Sequence, residues 1–209
     1  MVNYFAVKVW EWLEDRSFYK VFGDAKFRKI DRELQKAYFW KNPYTLSREF
    51  YEAIGETNVH QYGETPLTTM SKIARALKLG PEDHVYEYGA GRGRASFFLS
   101  HFTNAKISAV EHNPLFIRRA RRIAEKFDLS IEFLEKDFLD ITPDGATVIY
   151  LYGTCLSDRM IYDLCDKFNK GVKVVTISYA LCEYDKRFSV KQKLRVRFPW
   201  GETEAYINQ

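Results

Sequence analysis

The stretch His84 to Arg94, HVYEYGAGRGR, limits what this chain can fold into more than any other. A short β-type run, His84 to Tyr88, enters a glycine cluster at Gly89, Gly91 and Gly93. A helical pattern follows at once, with Phe97, Phe98, Leu99 and Phe102 on it. Strand, tight turn and helix in that order leave backbone N–H groups at a helix N-terminus with no side chains in front of them. Such a turn receives nucleotide-like ligands.

The spacing narrows the ligand. A dinucleotide fingerprint, G-x-G-x-x-G, would need its third glycine at Arg94. The chain instead reads E-x-G-x-G-x-G, with Glu87 two residues before the first glycine. A pyrophosphate is repelled by that carboxylate, whereas a ligand carrying an amino group and a sulfonium is attracted to it. Glu111 ends the next β-type run, Lys106 to Val110, where a carboxylate can accept from both hydroxyls of a ribose. Further on, Asp137 and Phe138 follow the run Ser130 to Leu134. There the aspartate would accept from the exocyclic amine of an adenine and the phenylalanine would form a flat apolar wall.

Glu87, the glycines and Glu111 together resemble motifs one and two of the class I S-adenosylmethionine-dependent methyltransferases. Upstream, Gln61 to Thr69 reads QYGETPLTT. That loop is similar to the cofactor-covering loop of the disruptor-of-telomeric-silencing family of seven-stranded lysine methyltransferases. The resemblance implies that Tyr62, Glu64 and Thr65 contact the methionine part of S-adenosylmethionine. Truncating Glu64 should then weaken cofactor binding and leave the ligand-free protein equally stable. The segment EHNP, Glu111 to Pro114, also looks like lysine methyltransferases that act on non-histone proteins. The resemblance covers about residues 61 to 180. It implies a Rossmann-like α/β sheet of seven strands with a reversed last strand, a methyltransferase domain over residues 61–209, and a helical N-terminal extension over residues 1–60.

The N-terminal third is aromatic and basic, and its patterns predict helices near the start, from about Asp24 to Trp40, and from Ser47 to Ile54. Asn42-Pro43 reads as the stop of the second. The bases from Arg16 to Lys41 suit a solvated outer face, or a grip on a substrate protein, a nucleic acid or a membrane surface. The net charge of +4 permits an acidic partner without requiring one. Cys155, Cys165 and Cys182 lack metal-ligand spacing and cannot all pair, which reads as reduced thiols of a cytoplasmic protein. The apolar run Tyr4 to Leu13 is broken by Lys8 and Glu11 and is too short to span a bilayer, and no signal peptide is expected.

The acceptor is read from the end of the fourth strand. Ala146 to Tyr152, ATVIYLY, is apolar throughout, as a strand buried on both faces should be. It ends in Tyr-Leu-Tyr-Gly-Thr, not in the Asn/Asp-Pro-Pro-aromatic motif of enzymes that methylate base or glutamine amines. Cys155 is expected to be a buried structural thiol, and no His/Asp cluster points to metal-assisted chemistry. Tyr150 and Tyr152 suggest an aromatic channel for an alkylammonium stem. The first reading is therefore methyl transfer to a lysine of a protein substrate. The alternatives are an RNA or small-molecule methyltransferase, favoured by a basic groove beside Lys191 to Phe198, and a cofactor-binding interaction protein without catalysis.

Overall fold

The computed structural model describes residues 4–209, with side chains from Val7 onward. The chain opens with three helices, α1 (Tyr4–Val21), α2 (Ala25–Ala37) and α3 (Pro43–Ala53). Asn42-Pro43 begins the third helix instead of merely ending the second. The Asn42 side chain accepts from the Thr45 N–H at 2.9 Å, and Pro43 occupies a first-turn position where its missing N–H costs nothing. Helix α4 (Leu67–Leu77) leads into the alternating part: β1 (His84–Tyr88), α5 (Arg94–Thr103), β2 (Lys106–Glu111), α6 (Pro114–Phe127), β3 (Ile131–Glu135), β4 (Val148–Leu151), α7 (Asp158–Cys165) and β5 (Lys173–Ile177). A hairpin of β6 (Val190–Phe198) and β7 (Gly201–Asn208) closes the chain.

The seven strands form one sheet in the order β3-β2-β1-β4-β5-β7-β6. Strands β1 to β5 are parallel, and β7 inserts antiparallel beside β5. The strand order reverses at β1, so the crevice at its C-terminal end lies between β1 and β4, where open α/β sheets take their ligands.

Strand alternation sends successive side chains to opposite layers. Tyr86, Tyr88, Ile149 and Leu151 join Ile161 and Leu164 of α7 on one face. Val85, Val148 and Tyr150 belong to the opposite face, with the N-terminal helices. Phe18, Phe22 and Phe27 of the N-terminal segment pack edge-on against Phe98 of α5, with ring centroids 5.8, 6.5 and 6.0 Å away. Each such buried ring contributes about 1.5–3 kcal/mol. The helical extension therefore shares one apolar core with the sheet. The bases Lys26, Arg28, Lys29, Arg32 and Lys36 of α2 point to solvent on its outer face.

Candidate active site

The glycine turn is built as its spacing demands. Gly89, Gly91 and Gly93 all have positive φ, at +72°, +55° and +80°. A Cβ on Gly89 would meet nothing within 4 Å, so the backbone there faces open space. One on Gly91 would come within 2.9 Å of the Tyr62 ring, and one on Gly93 within 3.1 Å of Phe133. Gly91 thus lets the upstream loop lie flat on the turn, and Gly93 lets α5 pack on the sheet.

Glu111 stands at the end of β2, buried, with its two oxygens accepting from the backbone N–H of Gly91 at 2.7 Å and of Asn113 at 2.8 Å. These contacts fix the carboxylate and leave it lone pairs toward a cavity of about 640 Å³ whose wall it forms. Gly89, Gly91, Tyr62, Glu64, Phe138 and Tyr152 line the same cavity. No lysine or arginine does so among the described residues.

Glu87, Thr65 and Tyr150 lie deeper, around a small recess behind the turn. Glu87 and Tyr150 are paired across β1 and β4, so the pleat aims both to the side of the N-terminal helices. Tyr150 is buried and shares a hydrogen bond with the Thr65 hydroxyl, and burial pushes its phenol well above the usual range. Of the two tyrosines expected in an acceptor channel, Tyr152 reaches the large cavity and Tyr150 holds the upstream loop to the sheet. Asp137 lines neither space: its Oδ1 accepts from the Leu139 N–H at 2.9 Å and caps a short 3₁₀ turn, with Phe138 carried to the cavity wall.

The upstream loop is a strap. Glu64 takes a two-pronged ion pair from Arg92, with Nη2 to Oε2 at 2.7 Å, and also accepts from the Tyr62 hydroxyl. Burial pushes the Glu64 carboxyl up, but the Arg92 guanidinium outweighs it and holds the group below its usual range. Arg94 points the other way, pairing with Asp31 of α2 at 2.7 and 2.9 Å and with Asp15 of α1 at 2.8 Å.

Glu87 differs from both. Burial is the main cause that lifts its carboxyl to about 7, against the hydroxyl of Ser96 that donates to it. A raised acid pKa means that the folded protein holds a proton the unfolded chain releases, so stability should fall as pH rises from about 4.5 to about 7. The loss is about 3 kcal/mol across that window, from roughly 1.4 kcal/mol per pH unit. Urea unfolding of wild type and Glu87→Gln checks it. The difference between the two curves should shrink with falling pH, and a pH-independent difference would contradict the placement of this proton.

Several cavity residues carry no motif in the sequence. Tyr44, Ser47 and Tyr51 arrive from α3, and Trp200 from the β6–β7 turn. Trp200 Nε1 donates to the Tyr152 hydroxyl at 3.0 Å, and Phe198 stacks between the two rings, 4.9 Å from Tyr152 and 5.2 Å from Trp200. The only sequence signal for Trp200 is an aromatic residue held between Pro199 and Gly201. Cys155 corrects an expectation: it is exposed and lies on the cavity wall, while Cys165 is the buried thiol. The basic strand β6 does not form a free cationic groove. Lys193 pairs with Glu204 at 3.8 Å, Arg195 with Glu202, and Arg197 with Glu14 at 3.7 Å.

No protein-family model matches the chain. Over 99 residues it is 32% identical to a carboxy-S-adenosyl-L-methionine synthase of Citrobacter koseri, a match covering 44% of this chain. The chain spans only 40% of that relative's length. Among solved structures, an RNA methyltransferase from Salinibacter ruber, in complex with S-adenosyl-L-homocysteine, superposes with a TM-score of 0.58 at 19% identity, over 70% of this chain and 93% of that one. TrmN from Thermus thermophilus gives 0.60 at 16% identity, over 78% and 52%. MtNAS in complex with MTA and tNA gives 0.57 at 14% identity, over 92% and 73%, a span that includes most of the N-terminal helices. With β7 reversed between β5 and β6, the chain has the Rossmann-like, seven-stranded methyltransferase fold.

Proposed function

We propose that the protein is an S-adenosylmethionine-dependent methyltransferase and that its acceptor is a lysine side chain of a protein substrate. The observation that carries the cofactor assignment is Glu111, pinned by two backbone amides at the wall of a cavity that also exposes the glycine turn. The residues present fit the group. Glu111 would hold the ribose hydroxyls, Phe138 the adenine face, and the carboxylates Glu64 and Glu87 lie on the side where a sulfonium and an amino group are welcome. Bound, the cofactor supplies a methyl group on a positively charged sulfur, and the nitrogen–carbon bond forms as the carbon–sulfur bond breaks with its electron pair going to sulfur.

The chain's own task is alignment and desolvation. A lysine has a reference pKa of about 10.4, so holding it neutral at pH 7 costs about 4.6 kcal/mol in water. Tyr44, Tyr51, Tyr152 and Trp200 offer rings to the alkyl stem and little water to the ammonium, which lowers that cost. The methylated nitrogen returns its proton to solvent at the mouth.

A small-molecule acceptor is the second reading, favoured by a cavity whose volume falls in the range of small-ligand sites. The relative from Citrobacter koseri, named for a modified cofactor, is in keeping with it. An RNA acceptor is suggested by the Salinibacter ruber neighbour, but the paired charges of β6 and the base-free cavity give phosphates little to bind.

Calorimetric titration with S-adenosylhomocysteine tests the cofactor site. Glu111→Ala should bind it more weakly by on the order of 1.5–3 kcal/mol for each charged hydrogen bond lost. Unchanged affinity in a folded variant rules out the ribose role of Glu111. Labelled methyl transfer to a cell extract, followed by protease or nuclease digestion, separates the acceptors.

A further inference from the structure

We propose that a second groove, opening from the cofactor cavity across Gly153, holds the backbone of a peptide whose lysine enters the site. The inference rests on the methyltransferase reading above and specifies how it takes its substrate.

The groove has a volume of about 450 Å³ and shares Gly153, Thr154, Leu156 and Trp200 with the large cavity, so the two are continuous. Its remaining wall is Ile161, Ser178, Tyr179 and Tyr184. Rings and hydroxyls dominate, and no charged side chain lines it among the described residues. A phosphate backbone would find no counter-charge there. The nearest carboxylate is Asp158, which accepts from the Tyr184 hydroxyl at 3.2 Å and suits a cationic acceptor segment.

One atom asks for a ligand. The Tyr179 hydroxyl is buried and has no hydrogen-bond partner. It lies where the two spaces meet: a Cβ on Gly153 would come within 2.6 Å of it. A buried hydroxyl without a partner is costly, and an incoming carbonyl oxygen removes that cost. Peptide carbonyls provide one such acceptor per residue, whereas an alkyl chain or an aromatic ring provides none. The backbone around the groove is held in unusual conformations, with Gly153 at φ +49° and the non-glycine Ser178 at φ +73°. Strained residues of this kind persist where surrounding structure fixes them for a purpose.

The test uses the full chain, tritiated S-adenosylmethionine, and a lysine-bearing peptide, Nα-acetyl-lysinamide and total RNA as acceptors. Tyr179→Phe removes only the hydroxyl. It should raise KM for the peptide about two- to tenfold, the equivalent of one hydrogen bond. It should leave kcat and S-adenosylhomocysteine affinity unchanged, with a melting temperature equal to or above that of wild type, because no existing bond is lost. An unchanged peptide KM overturns the role of Tyr179. Label entering RNA alone, or neither amine probe, in a protein that binds S-adenosylhomocysteine overturns the peptide groove and leaves the cofactor assignment standing. Failure to bind S-adenosylhomocysteine at all refutes both.

Discussion

Replacing Arg94 by alanine is expected to lower the stability of the ligand-free protein by about 3–5 kcal/mol, the cost of removing one partner from a buried ion pair. Arg94 and Asp31 are 7% and 3% exposed, and their contacts of 2.7 and 2.9 Å form a parallel fork. Asp31 also accepts from the Tyr19 hydroxyl at 2.7 Å, so its carboxylate is surrounded by donors. Burial alone would push that carboxyl upward, but the guanidinium and the hydroxyl outweigh it and hold it at about 2. Without Arg94 the aspartate must either take up a proton or remain charged in an apolar surrounding. For a chain of this size the loss corresponds to a fall of roughly 6–20 °C in melting temperature. The double variant Arg94→Met/Asp31→Leu should recover most of it, because apolar replacements of a whole buried pair are often neutral. Urea unfolding of the three proteins decides the matter, and a single variant as stable as wild type would falsify the buried pair. The consequence reaches the site, since Arg94 follows the glycine turn directly and ties it to α1 and α2.

Glu64→Ala carries the second large effect, and it reverses what the sequence led one to expect. The resemblance implied a carboxylate waiting for the cofactor, so its removal should have spared the ligand-free fold. The structure gives Glu64 a partner already: Arg92, only 8% exposed, whose guanidinium it grips at both ends. Truncation would leave that cation buried without a counter-charge, again at about 3–5 kcal/mol. Tyr62 would lose its hydrogen-bond acceptor as well, loosening a ring that lies on Gly91 and packs against Phe116 at 5.4 Å. Glu64→Gln keeps the shape and one acceptor oxygen, so it should cost less in stability. Thermal melts with and without S-adenosylhomocysteine distinguish the roles. A strap predicts a lower melting temperature without ligand, whereas a pure ligand contact predicts a difference only with ligand present.

The parts of this protein legible in the sequence are those that a local pattern determines. The glycine turn requires positive φ at Gly89, Gly91 and Gly93, and only glycine adopts it without strain, so the spacing itself announced the turn. Glu111 was legible because a parallel strand must end at the ligand edge of the sheet, where its last side chain can serve as a contact. The seven-strand order with a reversed β7 followed from the same alternation of strands and helices and a terminal hairpin. Even the misjudged Asn42-Pro43 was a correct boundary, read as a helix end where the Asn42 cap makes it a helix start.

What the tertiary structure alone decided are contacts between residues far apart in the chain. Nothing near Arg94 names Asp31 or Asp15, 63 and 79 residues away. Nothing beside Trp200 names Tyr152, 48 residues earlier. Glu64 and Glu87 are both acids near the same turn, yet Arg92 holds one ionised and burial beside Ser96 keeps a proton on the other up to about pH 7. Tyr150 and Tyr152 share a strand face, but Thr65 claims the first and the cavity the second. The physical reason is common to all four cases. A side chain's type sets what it can bond, while its partner, its dielectric surroundings and its access to solvent are set by whichever distant segments pack against it.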